Sequence, residues 1–182
     1  MIIHRARVCS PLLVGALSIL ALSSCSDKES EIPQSICGVT VEENVVAPLL
    51  KADGKVSEWR TADWGGKGTG VCRVSVDDKE AIRVRVSWHE DAIDLMQYSS
   101  PDNSITGLWE ATRLSGLADD ATLGDDGAMA TARCHGPSAE YLTVAFRVRH
   151  DGQVVHQRDE IKKFARSFVP GMIKEFGCKN TG

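Results

Sequence analysis

The side chains in this chain that are best suited to acid–base or metal chemistry are His89, Glu90 and Asp91. They follow an alternating segment, so they lie at the end of a predicted strand, where side chains can converge. A zinc site needs about three or four ligands in tetrahedral reach, and consecutive strand residues point to opposite faces. We therefore predict no metal site and no catalytic residue. An envelope enzyme that uses His89 and Glu90 is the alternative from a different function class.

Three further patterns invite a chemical interpretation, and each has a simpler one. His135 follows Cys134, which suggests a cysteine nucleophile, but a disulfide would consume that thiol. The glycine-rich run 65–70 contains a lysine, yet a phosphate-binding loop needs Gly-Lys-Ser/Thr between a strand and a helix. The acidic segments 119–120 and 125–127 lack the alternating ligand spacing of a calcium loop, so we predict solvated acidic loops there.

The N-terminal segment has the features of a bacterial secretion signal. A basic start leads into the apolar stretch 12–22, which is shorter than the roughly 20 apolar residues that a spanning helix needs. Residues 22–25, Leu-Ser-Ser-Cys, resemble the lipobox, in which the cysteine receives a diacylglycerol and cleavage follows just before it. We predict that residues 1–24 are a lipoprotein signal peptide and that Cys25 is lipidated. The alternative is an ordinary secreted protein in which Cys25 is a spare thiol.

Lipidation of Cys25 predicts a location on the extracytoplasmic face of a cell membrane. A thioether-linked diacylglycerol supplies two acyl chains, which is the usual requirement for stable anchoring. Residues 25–35 are polar and unpatterned, which indicates a lipidated tether. Beyond it we predict a single domain over residues 36–178 and a short tail over residues 179–182.

The charge of the predicted mature chain excludes one class of partner. Residues 1–24 contain two arginines and no acidic residue, so their removal changes the net charge from −4 to −6. A chain of that sign has no electrostatic reason to seek nucleic acid or anionic lipid. The remaining 158 residues are enough for one domain with a proper core.

Four cysteines remain in that predicted domain: Cys37, Cys72, Cys134 and Cys178. An even number in an exported chain indicates two disulfides, and four cysteines allow three connectivities. We favour Cys37–Cys72 with Cys134–Cys178, which ties each half of the chain to itself. A metal site built from these thiols is the alternative, although no Cys-x-x-Cys pair is present.

The first predicted helix follows Cys37. Thr40 and Glu43 have the spacing of a capping box, and apolar residues recur at near-helical spacing over 41–50. Pro48 should kink or shorten this helix, and the pair 53–54, Asp-Gly, should end it.

A β-hairpin is predicted next. Residues 72–76 and 82–88 alternate between apolar and polar, which indicates strands with one buried and one solvated face. Both apolar sets lie on one face only if opposed residue numbers have an even sum, as when Val74 lies opposite Val84. This predicts an odd-length loop over residues 77–81.

Three arginines lie on the solvated face of the predicted hairpin. Arg73, Arg83 and Arg85 alternate with its buried residues and form a basic stripe. We predict an ordinary solvated sheet face. A site for an anionic partner is the alternative.

The second half of the chain shows three clear elements and two faint ones. Strands are predicted over 128–134 and 141–149, the second with Thr143 exposed, and an amphipathic helix over 159–176. A helical turn or two over 91–98 and a strand over 109–114 are weaker predictions.

The order of these features resembles a group of small actinobacterial lipoproteins of uncharacterised function. The resemblance rests on the lipobox, on Cys37 before a short helix, on Cys72 at the start of a strand and on the turn 116–121. That turn matches Gly-Leu-Gly-Asp-x-Ala except at Ala118. The resemblance covers most of the predicted domain and implies a PsbP/LpqN-like α+β fold: an antiparallel sheet packed by an N-terminal helix and a long C-terminal amphipathic helix. It implies no catalytic residues.

These observations predict a non-catalytic binding or adaptor lipoprotein, without a cofactor, that meets the membrane through the lipid on Cys25. Its partner would be an envelope protein or a small-molecule ligand. A solute-binding lipoprotein with an apolar pocket between sheet and helix is an alternative form of the same idea.

Overall fold

A computed structural model describes the greater part of the predicted domain. The predicted signal peptide, Cys25 and most of the predicted tether lie outside the described residues, as do His135 and the predicted tail. No helix in the described part combines the length and the apolar character that crossing a membrane requires. The described residues are 32–51, 53–64, 68–103, 105–134, 139–150, 153–154 and 156–178.

Segments of alternating apolar residues form strands, and segments with apolar residues three and four apart form helices. In chain order the elements are β1 (Ser35–Ile36), β2 (Val39–Thr40), α1 (Glu43–Leu50), β3 (Val56–Arg60), β4 (Thr69–Val76), β5 (Lys79–His89), α2 (Leu95–Tyr98), β6 (Thr112–Arg113), β7 (Asp120–Leu123), β8 (Gly127–Arg133), β9 (Tyr141–His150), β10 (Gln153–Val154) and α3 (Arg158–Glu175).

The main sheet is antiparallel and has the strand order β3-β4-β5-β9-β8-β7-β6, with β10 paired to β9. The hairpin β1–β2 forms a separate small sheet. This arrangement confirms the α+β fold class. Because strands β5 and β9 lie at the centre, the residues on their two faces decide what the sheet can bury and what it can present.

One face of the sheet packs against α1 and α3 and forms the core. The apolar stripe of α3 is buried as predicted, and its Phe164 and Phe168 rings stack with centroids 4.8 Å apart. Phe146 of β9 meets Phe164 edge to face at 4.9 Å. The space between sheet and helix is therefore filled by side chains over the described residues.

The hairpin β4–β5 follows the predicted parity but not the predicted loop. Val74 lies opposite Ile82, an even sum, whereas Val76 lies opposite Lys79 across a two-residue turn, so the predicted loop over 77–81 is wrong. Both turn residues, Asp77 and Asp78, have positive φ, which is the conformation that a tight hairpin turn requires. A bulge between Val74 and Ser75 corrects the register and keeps both apolar sets on one face.

The start of the first helix is the second correction. Thr40 lies in β2, where it pairs with Ser35, so the predicted capping box is wrong. The turn between β1 and β2 consists of Cys37 and Gly38, both at positive φ. Helix α1 begins at Glu43 without a side-chain cap and ends before Lys51, which takes the left-handed conformation.

Several short elements differ from the sequence expectation. Strand β7 is not predicted, and the predicted solvated loop over 119–120 is wrong at Asp120, which begins this strand and accepts hydrogen bonds from Arg113. Strand β3 is not predicted because four of its five residues are exposed, which removes the alternation that reveals a strand. The predicted strand over 109–114 shortens to Thr112–Arg113. The helical turn over 91–98 shortens to α2, in which the Met96 N–H donates to the Asp94 carboxylate at the N-cap.

Both favoured disulfides are confirmed. Cys37–Cys72 fastens the β1–β2 turn to β4, with Cα atoms 6.0 Å apart. Cys134–Cys178 joins the end of β8 to the end of α3, with Cα atoms 4.7 Å apart. On the chain-entropy model, closing loops of this length is worth about 4 kcal/mol each.

Candidate functional site

The second face of the sheet is covered over only part of its width. Helix α2 and the chain that follows it pack on the β8 side, where Leu95 and Leu108 meet Met129 and Ala145 in a small apolar cluster. Strands β4 and β5 and the neighbouring part of β9 are left outside this cover. The open part of the sheet is thus the place where a second molecule can reach a rigid surface.

Five arginines project from this open part: Arg73 on β4, Arg83 and Arg85 on β5, and Arg147 and Arg149 on β9. We call this set the arginine face. In the strand register Arg73 lies opposite Arg83, and Arg83 lies opposite Arg147. Like charges directly opposite one another destabilise a sheet, so this row is not explained by sheet stability.

Two carboxylates neutralise part of the arginine face. Glu80 accepts hydrogen bonds from Arg83, the shorter at 2.7 Å, and lies 3.5 Å from Arg73. Asp126 accepts from Arg147 at 2.6 Å. The face therefore keeps an excess of three positive charges, although the whole chain is acidic.

Arg85 and Arg149 account for most of that excess. Neither side chain forms a hydrogen bond or an ion pair within the part of the chain that the structure describes. Both residues are half-buried. An arginine beside a groove and without a carboxylate partner favours an anion from outside the chain.

A groove runs along the arginine face and has two compartments. The first, the arginine compartment, measures about 270 Å³ and is lined by all five arginines. The second measures about 240 Å³ and shares Arg85, Ile105, Thr106 and Ala145 with the first. We call it the hydroxyl compartment, and its further lining includes Thr69, Ser87, His89, Tyr98, Asn103 and Thr143.

Thr143 is the deepest polar residue of the hydroxyl compartment. Its predicted exposure is wrong: it is 5 % exposed, because the chain from α2 onward covers this part of β9. Its Oγ1 has no hydrogen-bond partner among the described residues, although Ser87 lies directly opposite and bonds Thr69 at 3.3 Å. A buried hydroxyl left unsatisfied costs about 1–3 kcal/mol.

His89 lines the same compartment, and no carboxylate or second histidine joins it in the lining that the described residues form. Its ring meets Tyr98 edge to face at 5.9 Å, and burial lowers the pKa of the imidazole. Glu90 is exposed at the bend after β5. The histidines His150 and His156 lie elsewhere, one bonded to the Leu49 carbonyl at 2.8 Å and the other to Asp125 at 3.1 Å.

The acidic segment 125–127 is not a solvated loop, so that prediction is wrong. Asp126 is fully buried and holds both Arg147 and the backbone N–H of Trp109. Asp125 accepts hydrogen bonds from Arg158 and His156, and the bond from Arg158 is the main cause that lowers its pKa. These long-range partners are invisible in the local sequence, which has the composition of a turn.

Comparison with protein families, curated proteins and solved structures gives no match for this chain. The support for a function of this chain therefore comes from the residues of the groove. The sequence pattern does not place Arg147 and Arg149 in the basic stripe, because only the β5–β9 pairing brings them beside Arg83 and Arg85. Their alternate positions on a predicted strand were the signal that could have found them.

Sulfur and carboxylate ligands meet at one place in the described residues. Cys37, Cys72 and Glu58 lie within metal-binding distance of one another. Both sulfurs belong to the disulfide, and Glu58 accepts a hydrogen bond from the Cys37 backbone N–H at 2.6 Å. These contacts attach the β1–β2 hairpin to strands β3 and β4.

Proposed function

We propose that this protein is a lipid-anchored, extracytoplasmic binding module whose arginine face holds an anionic partner without converting it chemically. The observation that supports this most directly is the pair Arg85 and Arg149, half-buried beside a groove and without a partner among the described residues. A rigid antiparallel sheet fixes the backbone positions from which both arginine side chains project. Such preorganisation lowers the entropic cost of binding.

The anchoring part of the proposal comes from the sequence. Cys25 follows a secretion-type segment, and its acylation would place the domain outside the cytoplasm. The two disulfides support export, because such bridges persist in oxidising compartments. The resemblance to small PsbP/LpqN-like lipoproteins agrees with this location and remains part of the proposal.

The lining of the groove supports binding rather than catalysis. Neither compartment has an aspartate or glutamate in its described lining, and His89 is the one histidine there. Acid–base chemistry on a substrate commonly needs a second titratable group within hydrogen-bond reach. The two carboxylates beside the arginine face, Glu80 and Asp126, do not line either compartment and are already paired with arginines.

The packing of the core favours this surface over an interior ligand site. An apolar pocket between sheet and helix would require space where Phe146, Phe164 and Phe168 now meet. All three rings are buried in van der Waals contact with their neighbours. A ligand there would have to displace well-packed aromatic side chains, which is costly.

Titration of the exported domain, residues 26–182, with pyrophosphate tests the binding proposal. We expect binding at low ionic strength that the double variant Arg85→Gln/Arg149→Gln weakens at least tenfold, or about 1.4 kcal/mol. The matched control Lys162→Gln/Arg166→Gln removes the same charge from the exposed side of α3. An equal loss in both variants would show that net charge, and not the arginine face, attracts the anion.

A further inference from the structure

We infer that the groove takes a small acidic carbohydrate, with its anionic group in the arginine compartment and its hydroxyl-bearing ring in the hydroxyl compartment. This inference rests on the proposed function and names the ligand class of that same site. It follows from three features of the groove: where the charge is, where the unpaired hydrogen-bonding groups are, and how large each compartment is.

The position of Arg85 decides the orientation of the ligand. Arg85 belongs to both compartments, so an anion bound to it keeps the rest of the ligand within reach of either one. A guanidinium group binds phosphate and carboxylate oxygens through paired N–H donors. Arg149 and the row of Arg73, Arg83 and Arg147 continue the positive field on one side only. The anionic end of the ligand therefore belongs in the arginine compartment.

The polar groups of the hydroxyl compartment suit a ligand that both donates and accepts hydrogen bonds. Thr143 Oγ1 and His89 Nε2 are buried and have no partner among the described residues. Ser87 and Thr69 add two hydroxyls on the neighbouring strands. An apolar ligand body would leave Thr143 and His89 unsatisfied, whereas a polyhydroxylated ring can pair with both.

The rim of the groove offers an apolar surface that suits the C–H face of a sugar ring. Tyr98 and Ile105 line the hydroxyl compartment and remain 38 % and 60 % exposed. Exposed large apolar side chains beside a polar pocket are typical of ligand-binding rims. The ring of Tyr98 is held by its contact with His89, so its position is defined before a ligand arrives.

The dimensions of the groove favour a small ligand over a polymer. Each compartment measures about 240–270 Å³, below the usual range for drug-sized molecules. An extended polyanion would contact the exposed Arg73 and Arg83 and would not reach Thr143, which is buried under the rim. Dependence of binding on Thr143 therefore separates the two kinds of ligand.

Calorimetric titration of the exported domain with four probes tests the inference. Glucose 1-phosphate and glucuronate carry both halves of the expected ligand, inorganic phosphate carries the anion alone, and methyl glucoside carries the ring alone. We expect one of the acidic sugars to bind at least tenfold more tightly than inorganic phosphate and methyl glucoside. The tighter of the two acidic sugars shows whether the anionic group is a phosphate or a carboxylate.

Two variants test which compartment binds which part of the ligand. Thr143→Val keeps the shape of the side chain and should weaken the acidic sugar about tenfold while leaving inorganic phosphate unchanged. Arg85→Gln should weaken both probes. Ser87→Ala, on the neighbouring strand, gives the same test of the hydroxyl compartment if Thr143→Val does not fold.

The possible failures are distinguishable. If inorganic phosphate binds as tightly as both acidic sugars, or if the hydroxyl-compartment variants leave the acidic sugar unaffected, the inference is wrong and the proposed function stands. If pyrophosphate and all four probes fail to bind, both are wrong.

Discussion

The carboxylate of Asp126 and the guanidinium of Arg147 form a buried ion pair, with Oδ2 and Nη2 2.6 Å apart and the Asp126 side chain 1 % exposed. The other oxygen of Asp126 accepts a hydrogen bond from the backbone N–H of Trp109 at 2.8 Å. One carboxylate thus neutralises an arginine of the arginine face and fixes the segment next to Leu108, which lines the groove. Asp126 therefore affects both the charge and the shape of the groove.

The first prediction follows from that pair. Asp126→Ala should lower the free energy of unfolding by about 3 kcal/mol, because it leaves a partly buried guanidinium unpaired and a backbone N–H unsatisfied. Urea denaturation measures the change. Asp159→Ala, at the exposed first turn of α3, is the control and should cost less than about 1 kcal/mol. Similar losses in the two variants would contradict a structural role for Asp126.

The second prediction concerns the close approach of β8 and β9. A methyl group on Gly127 would collide with the Phe146 carbonyl oxygen and would also crowd Leu108 at 3.1 Å. We expect Gly127→Ala to destabilise the fold by about 1–3 kcal/mol in the same urea assay. Gly68→Ala, where the added methyl meets nothing within 4 Å, should stay within about 0.5 kcal/mol of the wild type. A neutral Gly127→Ala would mean that the two strands can separate without cost.

The third prediction is a pH dependence that comes from His89. Burial lowers the pKa of the folded-state imidazole below its ordinary value of 6.5. The unfolded chain then binds more protons, so stability should fall as the pH drops below 6.5 towards the lowered pKa and level off beneath it. Urea denaturation between about pH 5 and pH 8 measures this.

The variant His89→Gln should lose this component of the pH dependence, whereas His156→Gln, at an exposed position, should retain it. If the wild type and His89→Gln lose stability in parallel over this pH window, the imidazole is not desolvated in the folded state.

The fourth prediction tests the anchor. The full chain, expressed in a bacterium that processes lipoproteins, should separate with the membrane fraction and carry the mass of a diacylglyceryl group on Cys25. Cys25→Ser should abolish both properties while leaving the two disulfides intact, because they lie in the domain and not in the tether. Membrane association that survives Cys25→Ser would contradict lipid anchoring.

Local sequence patterns are sufficient to predict the elements that face the core. The alternation over β5 and β9 and the buried stripe of α3 appear in the structure close to their predicted bounds. The two disulfides also follow the favoured pairing. These features are predictable because burial of one face imposes a period on the sequence that produces it.

Turn and edge elements were less predictable. The tight turn at Asp77 and Asp78 occurs together with a bulge in β4, which the sequence pattern does not show. Thr40 pairs with Ser35 in the β1–β2 hairpin and does not cap helix α1. In both places two local structures compete for the same residues. The choice between them depends on contacts made elsewhere in the chain.

The sequence by itself determined the pattern of buried faces, the number and pairing preference of the cysteines, and three of the five arginines of the arginine face. Tertiary structure alone decided that Arg147 and Arg149 join them, that Asp126 neutralises one of the five, and that Thr143 is buried without a partner. The physical reason is that strand register and the cover of a sheet are set by pairings between distant segments. A period in the sequence shows which residues share a face, but not which strands lie side by side or what covers them.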